Sequence, residues 1–494
     1  MKSEIISFFI KNRINKINWS LNNPLDSQTL ILNYLIKKGK STKFGSDHKF
    51  NKINNHKSFK YNVPVRTYEE FYIYIEKCLA NEKDIIWPGY IKWFAKSSGT
   101  TDAKSKYVPI SKEFLYDGYI NAGKDMLSIY ENNFSDKSIY KGKGLMLGGS
   151  LSNKKKYLIG DVSAILLNEF PAWVNYHRIP SLDTALLENW ETKLNKIIEE
   201  SIDQNITNIT GVPSWMLILL NKILEKSGAK TIIEIWPNLE VYFHGGINFS
   251  PYKKSFNNII GKDINYLEGY NASEGFFALQ DKKKSLGLSL MLNNGIFFEF
   301  IPMQEYKKNN LDAITLKHVK LDQKYAMVIS TTAGLWRYII GDVIEFTSIY
   351  PFRIKIVGRT KSFINTFGEE LVIENTENAI CNASEKHNCK VKDYTVGPIF
   401  INKNSGGHEW LIEFEKKPKN FNAFMNDLDK FLKQNNSDYE AKRFNNLVIQ
   451  TPKLTLIEKN EFYNWLQKNN RLGGQYKIPR LSNDRKVINE ILCK

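Results

Sequence analysis

The stretch TTAGLWRYIIGD, residues 331–342, lies between two segments rich in apolar and β-branched side chains. The pattern predicts strands at 326–332 and 338–346, and a third strand at 353–358. At the end of a strand, the carboxylate of a Gly-Asp pair such as Gly341-Asp342 can accept hydrogen bonds from the vicinal hydroxyls of a ribose. An ordinary aspartate in a turn has the same local pattern, so this stretch alone does not distinguish a ribose-binding aspartate from a turn residue.

A second string, SSGTTDAKSKYVP (97–109), follows the predicted strand 91–98. Glycine lets backbone N–H groups approach an anion closely, hydroxyls donate to phosphate oxygens, and Lys104 and Lys106 supply positive charge. Such a loop after a strand suits a polyphosphate, although plain turns share its composition.

Two further strings carry single charged residues in loop-like surroundings. Glu274 lies in YNASEGFFAL (270–279), and Mg²⁺ bound to substrate phosphates often takes only one or two protein carboxylates. An ordinary solvated or helix-capping acid is the alternative. Lys477 lies in GGQYKIPRL (473–481), between a glycine pair and a proline, where a loop can place it and a moving lobe can deliver it.

Composition excludes several classes of protein. A chain of 494 residues predicts about three domains or large lobes, and no apolar run reaches the roughly 20 residues of a membrane-spanning helix. The net charge is +17, but only ten of the 69 basic residues are arginine, so we expect a lysine-rich surface rather than a nucleic-acid interface. Four widely spaced cysteines and a start without a convincing secretory signal predict reduced thiols and a cytoplasmic location.

Local patterns predict a mixed α/β chain. Residues 41–60 are polar and are expected to form a surface loop, whereas LSLMLNNGIFFEF (288–300) predicts a hairpin that turns at Asn294-Gly295. Thr67 and Glu70 have capping-box spacing. Helices are predicted at 27–38, 68–79, 184–202, 213–228 and 369–386, strands at 205–210, 239–243 and 264–270, and two strands flanking a Gly406-Gly407 loop.

Several catalytic motifs are absent from the sequence. It contains no GxxxxGK[ST], HExxH or GxSxG string, and Gly142 to Gly148 misses the dinucleotide-binding spacing by one residue. The seven histidines form no ligand pair. Metalloprotease and α/β-hydrolase functions therefore lose most of their support.

Together and in this order, the strings resemble the adenylate-forming superfamily of acyl-activating enzymes. Within it, the resemblance is closest to the auxin-responsive (Gretchen Hagen) family of acyl-acid amido synthetases, in its bacterial branch. It spans about 91–485, is most specific at TTAGLWRYIIGD, and is thin at 120–205, where acyl specificity would be set. It implies a large mixed α/β N-terminal body at 1–360 with β-sheets flanked by helices, and a small mobile α+β C-terminal lobe at 361–494, with a hinge near Lys361.

The resemblance also implies a role for individual residues. Glu274 resembles the Mg²⁺ ligand, Arg359 lies beside the ribose acceptor, and Lys477 resembles the lysine that reaches the α-phosphate; these three are the expected catalytic residues. Asp102-Ala103 stands where the family usually has small residues and glycine, so either Lys104 or Lys106 can face phosphate. The remaining expected positions are Ser97, Ser98, Thr100, Thr101 and Lys106 for the ATP phosphates, and Gly245, Gly246, Tyr270 and Asp342 for adenine and ribose.

The implied reaction is ATP-dependent activation of a small carboxylic acid, with Mg²⁺, followed by transfer to an amine, expected to be an amino acid. The small lobe would pivot between the two steps. Trp173, Trp215 and Met216 are candidates for the acyl pocket, with ordinary core packing as the alternative. Two other functions stay open: transfer of the acyl group to a thiol such as coenzyme A, and a non-catalytic basic binding protein that keeps the fold.

Arginine is scarce in the chain, yet Arg337, Arg359, Arg480 and Arg485 all fall within the strings. Most other basic positions in the chain are lysine. We therefore expect that planar, forked donors matter at these positions.

Overall fold

An eleven-stranded mixed sheet forms the centre of the computed structural model. Its order is β12-β13-β14-β15-β11-β10-β9-β8-β7-β3-β6, and three smaller sheets have the orders β2-β1-β5-β4, β16-β17 and β18-β19-β20. The strands are β1 (Trp93–Ser97), β2 (Lys106–Ile110), β3 (Lys143–Met146), β4 (Leu151–Lys154), β5 (Tyr157–Gly160), β6 (Arg178–Ile179), β7 (Ile206–Gly211), β8 (Val241–Gly245), β9 (Asn265–Ala272), β10 (Gly275–Leu279), β11 (Leu288–Leu290), β12 (Ile296–Pro302), β13 (Lys324–Thr331), β14 (Tyr338–Ile349), β15 (Phe352–Arg359), β16 (Phe363–Ile364), β17 (Leu371–Val372), β18 (Lys390–Phe400), β19 (Gly406–Lys416) and β20 (Lys453–Leu456).

Helices cover the faces of these sheets. They are α1 (Pro24–Gly39), α2 (Lys43–Asp47), α3 (His56–Asn62), α4 (Tyr68–Leu79), α5 (Lys112–Phe114), α6 (Asn121–Asn133), α7 (Val162–Glu169), α8 (Ala172–Tyr176), α9 (Leu182–Ala185), α10 (Trp190–Ser201), α11 (Pro213–Ser227), α12 (Ile232–Ile235), α13 (Ser250–Ile260), α14 (Met303–Tyr306), α15 (Ile373–Lys386), α16 (Phe421–Asn435), α17 (Ser437–Arg443), α18 (Glu461–Lys468) and α19 (Lys486–Leu492). A π-helical turn, Leu115–Ile120, joins α5 to α6, and residues 13–22 are also helical.

The structure describes most of the chain, with gaps in several loops. The described ranges are 13–97, 106–134, 139–149, 151–154, 156–187, 189–246, 249–283, 286–360, 363–364, 366, 369, 371–400, 406–443, 446, 449–472, 477–482 and 484–492. Within them, no helix is both long and apolar enough to cross a bilayer.

The large sheet changes character at β9. Strands β6, β3, β7, β8 and β9 run parallel, whereas β9 pairs antiparallel with β10, and the antiparallel pairing continues to β12. Ligands in open parallel sheets bind at the carboxyl ends of the strands, where the topology changes. The carboxyl ends of β8 and β9 are therefore the expected place for a site.

Two large apolar clusters hold the layers together. One packs α1–α4 against the antiparallel half of the sheet, around residues such as Phe44 and Trp336. The other covers the parallel half with α10, α11 and α13 and continues into Phe462, Trp465 and Ile478 of the C-terminal part. The boundary at 360/361 and the movement of a C-terminal lobe stay predictions.

The prediction of a loop at 41–60 is wrong. This segment contains α2, a 3₁₀ turn at Phe50–Lys52 and the start of α3. Phe44, Phe50 and Phe59 are fully buried in the first apolar cluster. The lysines and asparagines between these three phenylalanines make the segment polar on average, although the phenylalanines anchor it in the core.

The predicted hairpin at 288–300 is also wrong. The turn exists, with Gly295 at φ +72°, but β11 pairs with β10 and β15, and β12 pairs with β13. Gln28 of α1 bonds this connection, since its amide donates to the carbonyls of Leu292 and Ile296 at 3.3 and 3.0 Å. Turn residues specify a chain reversal, whereas the pairing partner is selected by tertiary contacts.

Smaller differences concern element boundaries. The helix predicted at 184–202 is divided into α9 and α10, and the helix predicted from 369 begins at Ile373. Gly406 and Gly407 belong to β19 rather than to a loop. The strands predicted at 326–332, 338–346 and 353–358 are confirmed as β13, β14 and β15.

The capping box at the start of α4 is confirmed. The Thr67 amide donates to the Glu70 carboxylate at 2.8 Å, and the Glu70 amide donates to the Thr67 hydroxyl at 3.4 Å. Replacing Thr67 with alanine should cost about 1 kcal/mol of local stability, because an N-terminal amide loses its acceptor. Amide hydrogen exchange over 68–79 should become faster. Thr29→Ala, an exposed threonine within α1, is the control, and unchanged exchange over 68–79 in Thr67→Ala would contradict this account.

Candidate active site

Pairing of β14 with β15 brings Asp342 opposite Arg359, beside Tyr270 of β9. Arg359 Nε donates to Asp342 Oδ1 at 2.8 Å, and the Tyr270 hydroxyl donates to Asp342 Oδ2 at 2.5 Å. The charge of Asp342 holds the pKa of Arg359 above its ordinary value, although burial opposes this. Burial, followed by the Asp342 charge, raises the pKa of Tyr270 well above its ordinary value, so the phenol stays a donor. These contacts orient the Asp342 carboxylate.

Glu274 lies in the turn between β9 and β10. It is only 6% exposed, and burial raises the pKa of its carboxyl to about 7, with Arg359 acting in the opposite direction. The Tyr119 hydroxyl bonds the carbonyls of Ala272 and Ser273 at 3.1 and 2.7 Å, which holds the turn in place. Within the described ranges, the buried Ser273 Oγ has no hydrogen-bond partner. Glu274 therefore contributes one carboxylate to the lining of the cleft.

Lys477 reaches the end of β8 from the C-terminal part of the chain. Its Nζ contacts the carbonyl oxygen of Gly246, where φ is +83°. A Cβ atom on Gly245 would lie 2.3 Å from the carbonyl oxygen of Gly269, so the close approach of β8 and β9 requires glycine there. The Lys477 side chain is accessible from the cleft, but the protein that surrounds the cleft displaces much of its hydration. This desolvation, followed by the charge of Arg359, lowers the pKa of Lys477 to about 8.

One cleft, with a volume of about 2340 Å³, contains these groups. Its lining comes mainly from the large sheet, from α7, α10, α11, α13, α15 and α18, from β18, and from the segment 477–482. The predicted residues that line it are Trp215, Gly245, Gly246, Tyr270, Glu274, Asp342, Arg359 and Lys477. Residues separated by up to 231 positions, such as Gly246 and Lys477, therefore meet at the carboxyl ends of β8 and β9.

The predicted phosphate loop falls largely outside the described residues. Ser98, Thr100, Thr101 and Lys104 lie there, as do the side chain of Ser97 and the predicted hinge residue Lys361. Ser97 and Lys106 are register partners in the antiparallel pair β1-β2, so the loop joins these two strands. Lys106 Nζ lies 3.7 Å from the Glu69 carboxylate and 5.0 Å from the centroid of the Tyr68 ring.

The three predicted acyl-pocket residues have different surroundings. Trp215 lines the cleft and packs edge-to-face against Trp190, with 4.7 Å between ring centroids. Met216 is fully buried in the second apolar cluster, and the side chain of Trp173 lies outside the description.

Lys193 is a buried residue beside the cleft that the sequence analysis missed. Its Nζ donates to the carbonyls of Gly148 and Gly149 at 2.8 and 2.6 Å, and burial lowers its pKa to about 8. The sequence contained a signal for it, because Lys193 lies one helical turn from the apolar residues Trp190 and Ile197 of the predicted helix.

Only one of the four arginines in the strings belongs to the Asp342 cluster. Arg337 forms a buried, forked pair with Glu299 of β12, at 2.8 and 3.0 Å, in the antiparallel half of the large sheet. Arg485 donates to Glu409 at 2.6 Å within the C-terminal part. The guanidinium groups of Arg337 and Arg485 therefore stabilise the fold, whereas that of Arg359 belongs to the site.

Comparison with solved structures identifies the fold as that of adenylate-forming enzymes. The structure of the GH3.15 acyl acid amido synthetase in complex with 2,4-DB matches with a TM-score of 0.81, at 18% identity, covering 98% of this chain and 96% of that one. A 2-hydroxyisobutyryl-CoA ligase in the postadenylation state matches with a TM-score of 0.60, at 13% identity, covering 94% and 92%.

Sequence comparison then identifies the family. The GH3 family N-terminal, central and C-terminal domains match residues 13–264, 289–359 and 374–486, and the chain belongs to the GH3 family. An indole-3-acetic acid-amido synthetase, GH3.4 of Arabidopsis thaliana, is 22% identical, covering 93% of this chain and 89% of the relative. The Arabidopsis 4-substituted benzoates-glutamate ligase GH3.12 is 21% identical, covering 87% and 88%. The family expected from the strings is confirmed, whereas its bacterial branch stays a prediction.

Proposed function

We propose that this protein is an ATP-dependent ligase that joins a carboxylic acid to an amine, with an amino acid as the acceptor. The observation that carries the proposal is the meeting of Tyr270, Asp342, Arg359 and Lys477 in one cleft, in a chain that belongs to the GH3 family. Relatives named as amido synthetases cover nearly the whole chain.

The cluster around Asp342 is suited to hold a nucleoside. An oriented carboxylate accepts two hydrogen bonds from vicinal ribose hydroxyls, and Arg359 and Tyr270 keep both oxygens in place. Gly245 lets β8 lie close to β9, and Gly246 presents backbone without a side chain to the cleft beside Lys477, where a flat base can lie. We assign ATP to this end of the cleft, with its phosphates directed toward Glu274 and the charge of Lys106.

The residues present also fit Mg²⁺. Glu274 offers one buried carboxylate, and the preceding residue, Ser273, has a buried hydroxyl without a hydrogen-bond partner in the described part of the chain. A magnesium site completed by substrate phosphates needs only one or two protein carboxylates. When bound, the ion would supply positive charge against the phosphate oxygens, and Glu274 would hold it.

The first step joins a carboxylate oxygen of the acid to the α-phosphorus, while the bond from this phosphorus to the bridging oxygen breaks and pyrophosphate leaves. The ammonium of Lys477 offsets negative charge on the α-phosphoryl oxygens. In the second step, the amine nitrogen attacks the acyl carbon, the carbon–oxygen bond to AMP breaks, and the amine releases its proton to solvent. Neither step needs a protein nucleophile.

Acid-dependent exchange of radiolabelled pyrophosphate into ATP tests the first step across a panel of carboxylic acids. We expect exchange with a subset of the acids, and then AMP release when an amino acid is added. Release of AMP with coenzyme A, but with none of the amino acids, would show that the acceptor is a thiol rather than an amine. Absence of exchange with every acid, together with binding of DNA that weakens steeply with salt, would favour the basic binding protein instead.

Replacing Arg359 with lysine should weaken exchange about tenfold, because a charge-assisted hydrogen bond to Asp342 is lost and a flexible ammonium replaces a planar donor. The rate of pyrophosphate exchange at saturating acid measures the effect. Lys355→Arg is the matched control, since Lys355 lies on the same strand and pairs with Glu345 at 2.8 Å. Unchanged exchange in Arg359→Lys would remove the proposed role of Arg359.

We also propose a cytoplasmic location, with reduced thiols. Cys78, Cys381 and Cys389 are free in the described part of the chain, which supports this proposal.

A further inference from the structure

The segment that carries Lys477 is anchored by Arg480. Arg480 Nη1 donates to the carbonyl oxygen of Tyr394 at 2.9 Å and contacts the carboxylate of Asp393. Its guanidinium lies 4.5 Å from the centroid of the Tyr394 ring. These partners belong to β18, so the contacts remain within the C-terminal part of the chain.

The backbone around Arg480 is bonded to the same strand. The Val396 amide donates to the carbonyl oxygen of Arg480 at 2.9 Å, and the Ser482 amide donates to the carbonyl oxygen of Val396 at 3.0 Å. The Thr395 hydroxyl donates to the carbonyl oxygen of Pro479 at 2.5 Å. Residues 479–482 therefore move together with β18.

The other donor group of Arg480 faces the N-terminal body. Arg480 Nη2 lies 3.5 Å from the hydroxyl of Tyr252, which belongs to α13. Tyr252 follows Gly246, the residue that Lys477 contacts, by six positions. Lys477 and Arg480 thus contact the body at two residues that are six positions apart, through the Lys477–Gly246 contact and the Tyr252–Arg480 contact.

We infer that Tyr252 and Arg480 are positioning residues: their contact holds the C-terminal part in the orientation in which Lys477 reaches the nucleotide end of the cleft. This inference rests on the proposed function, in which Lys477 serves the first step. The contacts of Arg480 to β18 persist in any orientation, whereas the contact to Tyr252 crosses to the body and requires this one.

The chemistry of the two side chains explains why such a contact is useful. Lysine has a flexible stem and loses much rotamer freedom when its ammonium is held in one place. Arg480 is planar and already bound on three sides, so the bond to Tyr252 adds a directional contact to the apolar packing of Ile478 against the body. Removal of the phenolic oxygen should therefore affect the placement of Lys477 rather than its charge.

Tyr252→Phe tests the inference with little change in shape. We expect pyrophosphate exchange to fall about three- to tenfold, the loss of one hydrogen bond of ordinary strength, because the contact is long at 3.5 Å. Transfer to the amine should be unchanged or faster when the reaction starts from a chemically prepared acyl-adenylate of the acid that gives the highest wild-type exchange. Tyr266→Phe is the matched control, because the Tyr266 hydroxyl donates to Asn257 within the body at 2.6 Å.

A second measurement does not depend on activity. Acetylation of Lys477 by sulfosuccinimidyl acetate, followed by mass spectrometry, should be faster in Tyr252→Phe than in the wild type or in Tyr266→Phe. Equal losses in both half-reactions, no loss of exchange, or unchanged labelling of Lys477 would each overturn the inference. If the wild type shows no exchange, the proposed function fails, whereas the labelling still decides whether the Tyr252–Arg480 contact positions Lys477.

Discussion

Lys477→Ala is expected to lower acid-dependent pyrophosphate exchange by about 10²- to 10³-fold, the usual cost of removing one well-placed donor to a developing oxyanion. Lys477 Nζ already lies at the Gly246 carbonyl, at the end of the cleft that holds the Asp342 cluster. The exchange rate at saturating ATP and acid measures the loss.

Lys459→Ala is the matched control, because Lys459 is an exposed lysine that lines the same cleft. It should keep exchange within about twofold, in line with the small effect of most surface substitutions. A loss that is confined to the amine-transfer step in Lys477→Ala would move this lysine to the second step.

Wild-type exchange should also depend on the protonation of Lys477. Burial, followed by the charge of Arg359, lowers the pKa of Lys477 to about 8. Because the ammonium is the active form, kcat/KM for ATP should fall as the pH rises through about 8. Bound phosphates stabilise the ammonium, so the fall in kcat should lie at higher pH. A kcat/KM that is constant from pH 7 to 9.5 would contradict the role of the ammonium.

Glu274→Gln is expected to reduce exchange by a comparable 10²- to 10³-fold. The amide keeps the size of the side chain and removes the negative charge that would hold Mg²⁺. Glu191→Gln is the control, since Glu191 is an exposed carboxylate that lines the same cleft. Exchange close to the wild-type rate in Glu274→Gln would show that Glu274 has no part in the reaction.

The same variant has an expected effect on stability. Burial raises the pKa of Glu274 from 4.5 to about 7, so between these values the folded protein holds a proton that the unfolded chain has released. The contribution of Glu274 to stability therefore falls as pH rises through this window and is fully lost at pH 8. In EDTA and without nucleotide, the Tm of Glu274→Gln at pH 8 should equal or exceed that of the wild type. A lower Tm would indicate that Glu274 stabilises the fold.

Much of the local structure was predictable from short-range patterns. The Thr67–Glu70 capping box, the strands on both sides of residues 331–342 and the helix at 213–228 each depend on residues close in sequence. The strings that resemble the family also located Tyr270, Glu274, Asp342, Arg359 and Lys477 before any contact between them was known.

The failures share one physical cause. Residues 41–60 were expected to be a loop because their average polarity is high, but Phe44 and Phe50 pack against Trp336, and Phe59 packs against Phe50 and Phe297. The 288–300 segment turns where expected, yet its two strands pair elsewhere in the sheet. Lys193 and Tyr252 escaped notice because their importance comes from partners 44 and 228 residues away.

By itself, the order of amino acids determined which side chains are available to the site and which short segments become helices or strands, since these depend on neighbours along the chain. Only the tertiary structure decided that the Tyr270 hydroxyl bonds Asp342, that Lys477 reaches Gly246, and that Arg480 faces Tyr252. Each of these contacts joins distant residues, so it forms only when the packing of the large sheet and its helices offsets the entropy of closing a long loop.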